Sequence, residues 1–304
     1  MNSVLSHTTH ATSVRPSLAA ALLTGVRPRQ WPKNLLVFGA VAAAGRLLVP
    51  SAIADASLAF VAFTLAASGT YLINDTIDAP ADRIHPTKSQ RPVAAGLISP
   101  GLAVSMGSLL LVASVLPTLL IGRTDFTATL LAYVGLTLSY SLWLKRVAVV
   151  DIVVVAAGFG LRAIGGAFAI AVPVSQWFLI VSFFGALFIV SGKRFAEQKS
   201  LGAEAARHRE TLSAEAEFYT QHVMTLSSGI TLVGYGLWAH DHGFLPEWWF
   251  LASLMLLVMI LLRFALVVHS GVSDDPMEIA WNDRALRVMA MLFIALVVAG
   301  IETS

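Results

Sequence analysis

The stretch Asn74-Asp75-Thr76-Ile77-Asp78-Ala79-Pro80-Ala81-Asp82-Arg83 sets three carboxylates at the end of a long apolar run. On a helix, Asp75, Asp78 and Asp82, at i, i+3 and i+7, share one face. Clustered carboxylates repel one another unless a cation sits among them. All-oxygen donors suit a hard divalent ion, and Mg2+ takes one or two carboxylates together with substrate phosphate oxygens. The segment therefore reads as a metal–diphosphate grip at a membrane surface, with Asp75, Asp78 and Asp82 as ligands and Asn74 beside them. The plain alternative is a solvated helix end, where Asp also caps well. An apolar flank makes an accidental triple carboxylate expensive. Arg83, Lys88 and Arg91 follow in the same segment. Acid and base together fit a metal that bridges a phosphate, with cations on the remaining oxygens. A simple cation site would not need the bases.

Two further segments carry charge where an apolar run stops. Ser191-Gly192-Lys193-Arg194-Phe195-Ala196-Glu197 ends one such run. It reads either as an anion clamp of Lys193, Arg194 and Glu197, or as basic residues terminating a span. Lys199, Arg207 and Arg209 fit the second description. Tyr140 opens the other segment, which continues through Lys145 and Arg146 to Asp151 and Arg162. An arginine within a membrane helix is costly and faces a cavity or a partner. Glycines around Arg162 permit close helix packing. Its alternative is a pair with Asp151, about three turns away.

These segments need a scaffold, and composition says which kind. The 304 residues are 57% hydrophobic and only 12% charged, against about 25% charged in a soluble domain. This predicts an all-α, polytopic membrane protein. There is no cysteine, so disulfide and thiol chemistry are excluded. A net charge of +2 is too small to argue nucleic-acid binding. The histidines form no metal constellation, and neither a Gly-rich nucleotide loop nor a Gly-x-Ser-x-Gly elbow is present. Residues 1–25 read as a disordered tail with an interfacial helix, and 26–304 as one transmembrane catalytic domain.

Apolar runs long enough to cross a bilayer predict about nine spans: Leu35–Val49, Ala52–Ile73, Leu102–Ile121, Thr124–Leu144, Val147–Ala171, Trp177–Gly192, Phe218–Ala239, Trp248–His269 and Leu286–Gly300. In that arrangement nearly all Lys and Arg fall on one side, with Arg46 and Arg123 opposite. Cytoplasmic loops carry the positive excess. The carboxylates and basic loops are thus expected at the cytoplasmic face, in a plasma (inner) membrane protein.

Asn74-Asp75-x-x-Asp78-x-x-x-Asp82 after the second span, with Tyr140-Ser-x-x-x-Lys145, resembles the UbiA superfamily of intramembrane prenyltransferases. The resemblance implies a helical bundle around a lipid-open cavity, with Mg2+ and a diphosphate at its mouth. Typical members carry a second Asp-x-x-x-Asp motif after span six. Here Lys193-Arg194-x-x-Glu197 stands in that place. With Arg27-Pro-Arg-Gln-Trp-Pro-Lys33-Asn34 and Asp275-Pro-Met-Glu-x-x-x-x-Asp283-Arg284, the pattern resembles the decaprenyl-phosphate phosphoribosyltransferase branch. That implies phosphoribosyl pyrophosphate as soluble donor, a polyprenyl phosphate as acceptor and a product destined for cell-wall arabinan. A donor with a diphosphate and a 5′-phosphate, plus an acceptor phosphate, calls for more cations and fewer acids. By this analogy Arg83, Lys88, Lys193 and Arg194 neutralise phosphates, while Lys33, Tyr140, Lys145 and Arg162 position the acceptor head group. Two rival readings are an ordinary prenyltransferase acting on an aromatic acceptor and a cation transporter. Chain length and homo-oligomerisation stay open.

Overall fold

The computed structural model describes residues 16–201, 214–241, 247–271, 278–279 and 282–303. Arg207, Arg209 and Asp275 lie outside them. Among the described residues every regular element is helical. The helices are α1 (Leu18–Gly25), α2 (Leu36–Ala43), α3 (Pro50–Asp82), α4 (Pro100–Ala113), α5 (Leu116–Ile121), α6 (Thr124–Leu142), α7 (Val150–Ala169), α8 (Gln176–Leu201), α9 (Ala214–Asp241), α10 (Glu247–Ser270) and α11 (Arg284–Thr303).

Each predicted span falls on helix, but six helical stretches among the described residues are long and apolar enough to cross a membrane. The first predicted span is the clearest departure. Its helix, α2, has 8 residues, about 12 Å by helical rise, against a hydrocarbon core of about 30 Å. Pro28 and Pro32 hold the preceding chain in a 3-10 turn over Pro28–Leu35, and Gly45 at φ +61° ends the helix in a turn. The fourth and seventh predicted spans are the helices α6 and α9, which are rich in Thr and Ser. These hydroxyls donate to carbonyls one turn back, as Thr129 does to Asp125, Ser141 to Thr137 and Thr231 to Ser227, so their polar atoms are satisfied inside the helix.

The helices form a closed ring. Helix α3 packs on α4 and α6, α6 on α7, and α7 on both α2 and α8. Helix α8 meets α9 and α10, α10 meets α11, and α11 returns to α2. Small residues permit this closeness. A Cβ on Gly166 of α7 would stand 2.2 Å from the Val37 carbonyl oxygen of α2. At the α3–α4 crossing, Gly69 and Gly107 each face the other's carbonyl. Between α3, α6 and α7 the core is Phe63, Phe126 and Tyr133, stacked edge to face. Helix α3 is 33 residues long, about 50 Å. It outruns the hydrocarbon thickness, and its final turns, which hold Asn74 to Asp82, reach the mouth of the bundle.

Candidate active site

The ring encloses a cavity of about 1860 Å³, larger than the 300–1,000 Å³ of ordinary ligand pockets. One part of its wall is polar: Lys33, Asn74, Asp78, Asp82, Lys88, Arg91, Tyr140, Lys145, Arg162, Lys193, Arg194 and Glu197 all line it. Another part is apolar, including Val154, Phe159, Phe188, Leu257, Ile260, Leu261 and Phe264. The structure thus brings twelve of the fourteen predicted site residues to one space. Asp75 and Arg83 are the exceptions. Arg83 is exposed and points away, because adjacent helical residues differ by about 100° and Asp82 takes the inward direction.

The carboxylates do not converge on a common centre, and no group of three metal-ligating side chains forms among the described residues. Each instead meets a basic group. Asp75, only 2% exposed, accepts from Arg27 and, at 3.3 Å, from Arg91. Arg91 also donates to Asp82 at 2.8 Å. Asp78 accepts from Lys145 and from the Asn74 amide at 2.9 Å. Helical angle explains the grouping. Seven residues make nearly two full turns, so Asp75 and Asp82 lie above one another and share Arg91. Three residues leave Asp78 about 60° to the side, toward the α6–α7 loop that carries Lys145.

The basic segment after the sixth span is a wired network. Glu197 receives Lys88 Nζ at 2.8 Å and Arg194 Nη1 at 3.0 Å. Arg194, 8% exposed, donates through Nη2 to the Tyr140 hydroxyl at 3.0 Å, and its Nε stands 3.4 Å from Asp151. Helices α6, α7 and α8 are tied together through this one guanidinium, and the α3–α4 loop joins them through Lys88 on Glu197. Asp151 is therefore engaged by Arg194, and Arg162 finds other partners. Its Nε donates to Asn34 Oδ1 and its Nη2 to the Tyr133 hydroxyl, both at 2.7 Å, and Nη1 reaches the Gly158 carbonyl. Tyr133 and Phe159 lend their ring faces.

Sequence reasoning did not single out Arg27, Asn34 or Tyr133 as site residues. Asn34 is 1% exposed and also donates to Thr64. The available signal was a buried arginine in α7, which required an oxygen acceptor from a neighbouring helix. Arg146, Arg284 and Arg287 are also on the cavity wall; the sequence offers Arg146 and Arg287 only as basic residues of the charged side, and Arg284 also as part of the Asp283-Arg284 pattern.

The profile of the UbiA prenyltransferase family matches residues 35–282. The chain belongs to that family. Among its relatives is the decaprenyl-phosphate phosphoribosyltransferase of Mycolicibacterium smegmatis, 38% identical over 95% of this chain and 94% of that protein. The protein of the same name from Corynebacterium glutamicum is 36% identical, over 94% of this chain and 88% of its own length. The structure of a UbiA homolog from Archaeoglobus fulgidus bound to GPP and Mg2+ superposes with a TM-score of 0.68, at 18% identity, over 93% of this chain and 99% of that one. In this UbiA member Lys193-Arg194-x-x-Glu197 on α8 joins Lys88 of the α3–α4 loop at the cavity wall.

Proposed function

We infer that the chain transfers a 5-phosphoribosyl group from phosphoribosyl pyrophosphate to a polyprenyl phosphate of the decaprenyl kind and releases pyrophosphate. One observation carries this reading. Along the cavity wall Lys and Arg outnumber carboxylates eleven to three. A single prenyl diphosphate does not call for that excess. A diphosphate, a 5′-phosphate and an acceptor phosphate together do. The names of relatives at 36–38% identity over most of the chain support the same reaction.

A divalent cation fits the donor set. Asn74, Asp78 and Asp82 line the cavity and carry oxygen donors, and Mg2+ needs only one or two carboxylates when phosphate oxygens and waters complete its shell. Asp78 and Asp82 are the residues that would hold it. Asp75 positions Arg27 and Arg91 from behind. When bound, Mg2+ would offset the charge that builds on the leaving pyrophosphate. Lys88, Lys145 and Lys193, all on the cavity wall, would meet the donor's phosphates. As the bond between ribose C1 and the pyrophosphate oxygen breaks, positive charge develops on C1 and its ring oxygen, as in glycoside cleavage. An oxygen of the acceptor phosphate attacks the opposite face. It is already anionic, so no strong general base is required. Arg162, fixed by Asn34 and Tyr133, sets a guanidinium on the cavity wall.

On this reading the reaction takes place at the cytoplasmic face of the plasma membrane: the excess of Lys and Arg in the loops on the side of the carboxylates supports that orientation, and a soluble donor can enter there. Its product would supply cell-wall arabinan synthesis. The expected test result is pyrophosphate release from phosphoribosyl pyrophosphate that requires polyprenyl phosphate and Mg2+. Release from a prenyl diphosphate with an aromatic acceptor, and none from the ribosyl donor, would contradict the reading.

A further inference from the structure

Asp283 stands immediately before α11. Its Oδ1 accepts from the Leu286 amide at 2.9 Å, and its Oδ2 accepts from Arg263 Nη2 and Nε of α10 at 2.8 and 3.1 Å. The Arg263 hydrogen bond holds the Asp283 carboxyl below its ordinary range. This contact caps α11 and fixes its end against α10. It also engages the carboxylate next to Arg284. Arg284 and Arg287 have no acidic partner among the described residues, and both line the cavity. The cations near α3 differ in this respect, since Arg27, Arg91 and Lys145 are each bound to an aspartate.

Positions 284, 287, 288, 291 and 294 follow the three-and-four spacing of one helical face. Below the two arginines that face is Val288, Met291 and Ile294, which line the same cavity. Their side chains are 43%, 62% and 59% exposed. One helix therefore presents two guanidinium groups with no acidic partner among the described residues, and then about 10 Å of apolar strip. A soluble phosphorylated sugar could use the arginines but would gain nothing from the strip. A phosphate monoester on a long hydrocarbon uses both, with charge-assisted hydrogen bonds at the head and burial of about 0.8 kcal/mol per CH2 along the tail.

We propose that this α11 face seats the lipid acceptor, with Arg284 and Arg287 on its phosphate and Val288, Met291 and Ile294 against its first isoprene units. The identity of the lipid rests on the reaction proposed above. The chemistry of the face does not, so binding and turnover are separable. Removal of the head-group contact reads out as follows. Affinities of the purified protein in detergent are measured for a long polyprenyl phosphate, for the polyprenol of equal length and for phosphoribosyl pyrophosphate. In the double variant Arg284→Gln/Arg287→Gln, polyprenyl phosphate should bind at least about tenfold more weakly, since a hydrogen bond to a charged group is worth about that factor or more. Polyprenol and the ribosyl donor should bind as in the wild type, and the thermal midpoint should be unchanged because both arginines are exposed. Met291→Asp should weaken both polyprenyl ligands and spare the donor. Unchanged polyprenyl phosphate affinity in the double variant would overturn the proposal. A loss confined to phosphoribosyl pyrophosphate would also overturn it, and would assign the arginines to the donor. A wild type that binds polyprenyl phosphate through this face yet transfers no phosphoribosyl group would leave the face standing and remove the reaction.

Discussion

Asp78→Asn and Asp82→Asn are expected to lower transfer by roughly 100- to 1,000-fold, the effect of removing one group that stabilises charge developing in a transition state, while the protein still folds. Both carboxylates face the cavity, and the Asn amide keeps the shape of Asp while losing the charge that a cation or its phosphate partner needs. Asp75→Asn should behave differently. Asp75 does not line the cavity and is buried between Arg27 and Arg91. Its loss should lower the thermal midpoint as well as activity. The cost stays below the about 3–5 kcal/mol of a fully buried broken pair, because both arginine side chains are a quarter exposed. Turnover assays at saturating Mg2+ with parallel melting curves separate the two cases. Near-normal turnover in Asp78→Asn and Asp82→Asn together would remove the metal assignment.

Arg194→Leu should be a folding defect, whereas Lys193→Ala should be a donor-binding defect. Arg194 is the buried cation shared by Glu197, Asp151 and Tyr140. Removing it takes a cation from both Asp151 and Glu197, a change of about 3–5 kcal/mol. Arg194→Lys should recover only part of this, since an ammonium cannot span three partners as a planar guanidinium does. Lys193 belongs to the cavity wall, and its removal should raise KM for the ribosyl donor about tenfold or more with the melting curve unchanged. A wild-type melting midpoint in Arg194→Leu would show that the network carries no structural load.

The contrast between these neighbours marks where the sequence stops being informative. Their charge and their place at the end of an apolar run were readable, and both reach the cavity. What separates them is their partners: Asp151 and Tyr140 lie on other helices, and Tyr140 is 54 residues away. The aspartate motif behaves the same way. Its spacing predicted one helical face; Asp78 and Asp82 line the cavity, while Asp75 is buried against Arg27 and Arg91. Its partners Arg27 and Lys145 stand 48 and 67 residues distant, and only the folded ring brings them in. Arg162 was expected to look into a cavity, and it lines one. The pair with Asp151 does not form, because Arg194 holds that carboxylate. The short α2 escaped hydropathy reasoning, which counts apolar residues and is blind to the prolines before it and the glycine turn after it. Helices α6 and α9 were found because their hydroxyls bond within the helix and leave the apolar pattern legible.

The central claim is the identity of the group that moves. Purified protein in detergent or liposomes is incubated with Mg2+, polyprenyl phosphate and phosphoribosyl pyrophosphate labelled in the ribose, and the solvent-extractable lipid is counted and identified by mass. The account predicts ribose label in a polyprenyl-phosphoryl-phosphoribose, dependent on the acceptor and absent with Asp78→Asn. Label that remains entirely in the aqueous phase, from folded wild-type protein with both substrates present, would contradict it.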